Sequence, residues 1–505
     1  MNALKALVMD LTSMRSSVVL NDMDARTLSI LLSDRVMVRR GASTLNAIVE
    51  TSRSLVPQGS IGLYRDSAKA LGVSSGEVVE IELAPMPKSI QFIKKKISGE
   101  ALSAEEISSI VQDVVAYNLS DLEVASFLFA SYFKGLTMDE TEALTRSMVA
   151  TGETLSLPGT VVDKHSIGGV PGNKISLLVV PIVAASGLFI PKTSSRAITS
   201  PSGTADTMSV LADVKFSLKE VEEMVMKVNG CIVWGGSLNI APADDIFIRI
   251  EYPLRIDPKS QMLASIMAKK CAVGAKHIVL DIPAGRGAKV ADVPEAERLA
   301  STFIDLGQRL GIQVKCGITY GGQPVGRAIG PALEAREALS ALMSPDNNSK
   351  SLVLKSASIA GLLLESTGKA SRGSGTTAAL ELLQKRTALD RFLSIVETQG
   401  GKKGVKPDDI GVGGEVYRML SPSDGYITLV DNQGIADVAR AAGAPQEKGA
   451  GVLLHAKQGY KVARGDLLLE VYAERTSKLS QAVSMAEGRT PVLVEGMLLK
   501  EVPDF

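Results

Sequence analysis

Cysteine and histidine are scarce in this chain, whose 505 residues hold three of each. Cys231, Cys271 and Cys316 lie far apart, with no CxxC pair and no histidine at ligand spacing. That argues against a disulfide framework and a zinc site and fits a reducing cytoplasm. Charge of one sign is missing too. Lys plus Arg number 55 against 55 Asp plus Glu, for a formal net charge of zero. No global attraction therefore draws the chain to nucleic acid or to a membrane surface, and charge-driven recognition has to be local. Lys5 and Asp10 interrupt the short apolar runs at the N-terminus, which does not read as a signal peptide. Hydrophobic residues make up 45% of the chain, ample for large cores, and the length predicts roughly three to four domains.

One stretch concentrates the chemistry. It opens Asp163-Lys164-His165-Ser166-Ile167-Gly168-Gly169-Val170-Pro171-Gly172-Asn173-Lys174 and closes Ser194-Ser195-Arg196-Ala197-Ile198-Thr199-Ser200-Pro201-Ser202-Gly203-Thr204-Ala205-Asp206. Each half joins glycines, which let backbone amides approach a ligand, to hydroxyls and a cation, the equipment for holding an oxyanion. Phosphate is the first expectation. The apolar segment from Ile175 to Pro191 between the halves predicts a buried helix whose N-terminus points amides at the same anion. Its Pro181, Ser186 and Gly187 argue against a membrane span. A triphosphate P-loop is the rival, but the glycine, lysine and hydroxyl offsets fail, and Lys174 is followed by Ile175 rather than a magnesium-binding hydroxyl.

Residues 1 to about 84 contain a repeat: one constant offset sets Val18 over Ile61, Ala25 over Ala68, Leu28 over Leu71, Val36 over Val79 and Val38 over Ile81. Two copies of strand, short helix, strand follow from it. The second copy resembles half of a double-psi β-barrel, and an oligomerisation or packing role is the preferred reading, since no reactive cluster lies in it. Pro85, Pro87 and the run Lys94-Lys95-Lys96 mark a linker into helix, with the lysines expected on a solvated face. From Ser103, an N-cap followed by Glu105 and Glu106, helical spacing runs to about Thr151. Beyond the anion stretch, strands and helices alternate. Helices are expected over Phe216 to Asn229, Ser260 to Cys271 and Glu295 to Leu310. Strands are expected over Cys231 to Trp234, His277 to Ile282 and Gln313 to Thr319, with His277 as a core residue. The glycine loop Pro283 to Lys289 follows the strand at His277. Such alternation predicts an open α/β sheet with ligand loops at the carboxyl ends of strands. From about Asp409 short strands and glycine turns take over. The run Gly459 to Tyr472 looks like half of a biotinyl-type barrel without the Met-Lys-Met turn that would carry a prosthetic group.

Four separated motifs match one family in order: Asp163 to Gly169, Ser194 to Asp206, Tyr252-Pro253-Leu254-Arg255, and Ser265-Ile266-Met267-Ala268-Lys269-Lys270. They resemble the thymidine/pyrimidine nucleoside phosphorylases over roughly residues 88 to 500, and the added N-terminal barrel resembles the branch of that family that cleaves AMP. The resemblance implies a helical lobe and a larger α/β lobe. The expected fold is therefore α/β with a helical lobe: an N-terminal double-psi-like β-barrel (1–84), a helical lobe (85–160, with 245–275 returning to it), an α/β phosphate-binding lobe (161–244 and 276–408) and a C-terminal α+β domain (409–505). It also implies that Lys164, Ser166, Ser176, Ser194 and Thr204 hold phosphate. By the same likeness Gly169, Ser195, Arg196, Ala197, Ile198, Thr199, Ser200, Thr204, Arg255, Ser265, Lys269 and His165 contact the nucleotide. Ser265 and Lys269 are spaced to share a helix face, so both can reach one ligand. The chain departs from the pyrimidine enzymes at Lys289, where an aromatic residue is usual. Lysine there suits a 5′-phosphate. Pro171-Gly172-Asn173-Lys174 and Ser200-Pro201-Ser202 also differ from the family, which leaves the contacts of Ser176 and of the second half open.

Breaking an N-glycosidic bond builds positive charge on the sugar and negative charge on the departing base, so an anion near C1′ and a proton donor at the base are needed. Phosphate supplies anion and nucleophile together. Asp257, beside Arg255, is the expected acid, with a turn and helix cap at Asp257-Pro258 as the bland alternative and His165 as the second candidate donor. The expected reaction is AMP plus phosphate giving adenine and ribose 1,5-bisphosphate, with CMP and UMP as further substrates. The partners expected are AMP and inorganic phosphate, with a homo-oligomer, dimer or larger; no metal or organic cofactor is called for. A plain pyrimidine nucleoside phosphorylase and a non-catalytic nucleotide sensor are the alternatives.

Overall fold

The computed structural model describes residues 2–13, 16–197, 200–346 and 350–496. Ile198 and Thr199, both expected at the site, lie outside the described residues. The chain divides into two compact units, residues 1–152 with 241–268, and 153–240 with 269–505.

The first unit begins with a closed barrel of six strands: β1 (Asn2–Val8), β2 (Ser17–Asn21), β3 (Arg35–Arg40), β4 (Ser43–Ser52), β5 (Ser60–Leu63) and β6 (Val78–Leu83), paired in the order β1-β5-β2-β4-β3-β6. The repeat in the sequence becomes a structural repeat. Short helices Asp22–Thr27 and Arg65–Leu71 occupy equivalent places after β2 and β5. β1 and β4 are also equivalent, a pair the repeat pattern did not single out. β1 runs parallel to β5 and antiparallel to β6, while β4 runs parallel to β2 and antiparallel to β3. Val18, Leu20, Val36, Val38, Ile61, Leu63, Val79 and Ile81, the alternate residues of these strands, fill the interior.

The rest of that unit is helical. Ser103, Ser120 and Thr137 each close a capping box on a glutamate three residues on, which fixes where the helices Ala104–Val115, Asp121–Lys134 and Met138–Ala150 begin. Ile107, Ile110, Val111 and Val114 are all buried at the helical spacing expected of them. The lysine run is a correction. In helix Ser89–Ile97 the period that turns Ile93 inward also turns Lys96 inward, where its ammonium meets the buried Glu140 carboxylate at 2.7 Å. Only Lys94 is exposed, and Lys95 pairs with Glu106 at 2.8 Å. Helix Pro242–Leu254 and the first part of helix Lys259–Ala272 complete the same core through Phe247 and Ala264.

The second unit is built on parallel strands β7 (Val162–Ser166), β8 (Ile190–Ser194), β9 (Gly230–Trp234), β10 (His277–Ala284) and β11 (Gln313–Tyr320). Their pairings run β11-β10-β7 and β8-β9, and a parallel bridge from Val161 to Phe189 links the two sets. The expected helix from Ile175 to Pro191 is cut short. It covers Ser176–Ala185, tolerates Pro181 in its interior, and gives way at Gly187 (φ +86) to a chain that enters β8 at Ile190. All of Ser176 to Ala184 are buried, because helices Lys350–Ser366 and Thr387–Thr398 surround this one. His277 heads β10 half-buried rather than in the core. No helix among the described residues is long and apolar enough to cross a membrane.

After residue 409, two small antiparallel sheets follow, with β13 (Glu415–Leu420) and β17 (Leu467–Ala473) in one and β14 (Gly425–Val430) and β18 (Val492–Glu495) in the other. The first sheet also takes β15 (Gly451–Leu454) and, from well before residue 409, β12 (Ala328–Ile329), and the second takes β16 (Lys461–Val462). The run Gly459 to Tyr472 contributes β16 and β17, which fall in different sheets.

Candidate active site

The chain leaves β7 towards β8 and β9, then returns to the opposite side of β7 to form β10 and β11. The carboxyl ends of β7 and β10 therefore flank a point where the strand order reverses, the usual crevice for ligands in open α/β sheets. Two glycine loops leave these ends and touch. Gly169 has φ +85, and a Cβ there would lie 2.5 Å from the backbone nitrogen of Lys289. Only glycine fits at that approach, so Lys289, exposed in the second loop, is held beside the first.

Alternation along β7 sorts the expected residues into two clusters. On one face, Lys164 Nζ donates to Ser176 Oγ at 3.2 Å, at the first residue of helix Ser176–Ala185. Two residues on, Ser166 Oγ donates to Asp281 Oδ2 of β10 at 2.7 Å. Asp281 is wholly buried and organises this face: Asn173 Nδ2 donates to it at 3.2 Å, Thr319 Oγ1 at 2.5 Å, and Lys355 Nζ forms an ion pair at 3.1 Å. Burial alone would push its carboxyl up, but Lys355, Lys164 and the hydroxyls of Ser166 and Thr319 hold it below the ordinary carboxylate value. Burial pushes the Lys164 ammonium down to about 8, with Asp281 acting in the opposite direction. The departure at residues 171–174 is accommodated. Asn173 joins Asp281, and Lys174 turns away into a buried pair with Glu337 at 2.7 Å and a bond to the Val325 carbonyl at 3.1 Å. Ser176 thus keeps its place against Lys164.

On the other face, Asp163 receives Lys270 Nζ at 2.5 Å and lies 3.7 Å from Lys192 Nζ. His165 belongs to this group. Burial first, and then the ammonium groups of Lys270, Lys192, Lys164 and Lys269, hold its imidazole well below the ordinary histidine value. At neutral pH it is uncharged, a poor state for donating a proton to a leaving base.

The second half of the stretch is a loop tied to Asp206. Its carboxylate accepts from the backbone nitrogens of Ala197 (2.7 Å) and Gly203 (3.1 Å) and from Arg196 Nη1 (3.0 Å). Arg196 also lies over the Trp234 ring, 5.3 Å from its centroid. A Cβ at Gly203 would meet the Ser195 carbonyl oxygen at 2.6 Å, so the loop closes on itself only with glycine there. Ser194 ends β8 buried, with its Oγ bonded to no described residue, and Thr204 opens the helix Thr204–Met208. Ser195 and Ser200 are exposed, and Ser200 Oγ donates to the Ser202 carbonyl at 3.1 Å.

Arg255, Asp257 and Ser265 belong to the other compact unit. Arg255 caps helix Pro242–Leu254 in the left-handed conformation (φ 53), and both Arg255 and Asp257 are exposed. Ser265 and Lys269 sit four residues apart on helix Lys259–Ala272, each partly exposed.

Residues 90–152 match the helical bundle domain of a glycosyl transferase family, residues 158–389 the α/β domain of that family, and residues 426–492 a pyrimidine nucleoside phosphorylase C-terminal domain. The chain is 51% identical over 497 residues to AMP phosphorylase 1 of Archaeoglobus fulgidus, covering 98% of each. The chain belongs to the AMP phosphorylase family. It is also 50% identical to the AMP phosphorylase of Methanospirillum hungatei (96% of this chain, 95% of that one). With that of Thermococcus kodakarensis the identity is 48%, over 99% of both chains. Among solved structures, anthranilate phosphoribosyltransferase from Thermus thermophilus shares the fold. Its TM-score is 0.51 at 20% identity, over 61% of this chain and 99% of that one. Within the family assignment, Asp281 and Lys355 are what the sequence reading missed. The only local signal was an acid inside the apolar strand His277 to Ile282, and nothing nearby marks Lys355 as its partner.

Proposed function

We propose that this chain catalyses phosphorolysis of AMP. Inorganic phosphate attacks C1′, the bond from C1′ to the base breaks, and adenine takes up a proton as ribose 1,5-bisphosphate forms. The observation that carries this reading is the Lys164, Ser166 and Ser176 cluster at the reversal of strand order, in a chain about half identical to relatives named AMP phosphorylase. Lys164, Ser166, Ser176, Ser194 and Thr204 hold the attacking phosphate, and the closed loop around Asp206 presents backbone amides to the nucleotide. Lys289 pairs with the 5′-phosphate, supported by its contact with Gly169. Asp257 protonates the base, with Arg255, Ser265 and Lys269 beside it; these roles rest on the matching motifs. The neutral state of His165 weighs against it as the donor. CMP and UMP are further substrates under this reading, the enzyme works as a homo-oligomer, and its free cysteines fit a reducing cytoplasm.

The test is release of free base, dependent on phosphate, from AMP, CMP, UMP and the matching nucleosides. AMP turnover well above that of thymidine or uridine is expected. Turnover of nucleosides alone would return the pyrimidine enzyme, and binding without base release would return the sensor. Asp257→Asn should abolish most turnover of AMP, and near-normal turnover would remove Asp257 as the acid.

A further inference from the structure

The two serines beside Lys164 are hydrogen-bonded in opposite senses. A carboxylate only accepts, so Ser166 commits its single hydrogen to Asp281 Oδ2 and turns lone pairs outward. Ser176 Oγ accepts from Lys164 Nζ and keeps its own hydrogen for another acceptor. Asp281 is fixed from several sides, by Thr319 on Oδ1 and by Asn173 and Lys355 on Oδ2. It cannot swing aside to release Ser166. Ser166 is also the accessible member, because Lys164 and Ser176 are almost fully buried. A ligand oxygen arriving at Ser166 meets an acceptor, and one arriving at Ser176 meets a donor.

We propose that this pocket reads the protonation of its anion. A P–OH group of hydrogen phosphate donates to Ser166 Oγ, the unprotonated oxygens face Ser176 and Lys164, and Asp281 is the positioning residue that sets this polarity. The inference rests on the placement of phosphate at the Lys164 cluster and adds a specificity to it. Sulfate has the same shape and charge as hydrogen phosphate but carries no hydrogen near neutral pH, so it would press lone pairs against lone pairs at Ser166. Arsenate keeps the hydrogen and fits. The polarity also pins the hydrogen-bearing oxygen, the weakest nucleophile of the four, at Ser166 and leaves an unprotonated oxygen to attack.

The experiment is competition between sulfate and phosphate in phosphorolysis by the full chain. The inhibition constant of sulfate should exceed the KM for phosphate by about tenfold or more, the value of one charge-assisted hydrogen bond, with arsenate replacing phosphate. Ser166→Ala removes the acceptor, and Asp281→Asn lets the hydroxyl turn outward. Each should raise the KM for phosphate and bring sulfate to within about threefold of it. Asp281→Asn also strips the counter-charge from two buried lysines, so the unmodified chain and Ser166→Ala decide the matter if that variant does not fold. Sulfate competing as well as phosphate in the unmodified chain, or an unchanged sulfate-to-phosphate ratio in Ser166→Ala, overturns the proposal. A Lys164→Ala variant with an unchanged KM for phosphate would instead overturn the placement of phosphate itself.

Discussion

Lys164 is a cation held where burial opposes its charge. Its ammonium is charged below about 8 and loses its proton as pH rises through that value. Phosphate needs the charged form, so kcat/KM, expressed on the hydrogen phosphate dianion present at each pH, should hold level up to about pH 8 and then fall roughly tenfold per unit. Lys164→Arg keeps its charge throughout, so that variant, though weaker, should show no such fall. Initial rates at limiting phosphate from pH 6.5 to 9.5, a range on the order of the free-enzyme titration, check both. The side chain of Lys289 carries selectivity rather than turnover. Removing a charged hydrogen bond to a 5′-phosphate costs about 1.5 to 3 kcal/mol, or tenfold to more than a hundredfold in kcat/KM. Lys289→Ala should lose that much on AMP and almost nothing on adenosine, and equal losses on both would deny it the role.

At the scale of elements, Lys96 shows what a helix face decides. With Lys96→Met the Glu140 carboxylate stays buried without its cation, retaining the backbone bonds from Leu102 and Thr137. A loss of about 3 to 5 kcal/mol is expected, seen as a lower denaturation midpoint. The sequence displayed this lysine as part of a basic run because its partner lies far along the chain. The same limit explains most of what was not legible. Strong local signals were readable: capping serines followed by glutamates, Ile107 to Val114 at helical spacing, the barrel repeat, and the glycine loops at strand ends. Pairings set by register were not. Asp281 reaches Ser166 because β10 lies beside β7 with those two residues level, and Lys355 arrives from a helix packed against β10. Alternation also parted neighbours that the motif reads as one group, sending Lys164 and Ser166 to one face of β7 and Asp163 and His165 to the other.

At the scale of the whole molecule, the family match spans nearly all of the chain, including the N-terminal barrel. That barrel is interlocked, since β1 finds both its partners in the second copy of the repeat and β4 finds both of its own in the first. β4 and β5 are joined through an exposed stretch at residues 53–59, in which only Val56 is buried. A protease recognition sequence placed after Gln58 should be cut readily. The severed pieces should nonetheless travel together in gel filtration and part only in denaturant, because β1, β2 and β3 remain zipped to β5 and β6 across the break. Covalent continuity is thus dispensable at that point, and a foreign peptide could be threaded there as a handle for attaching the enzyme to a support.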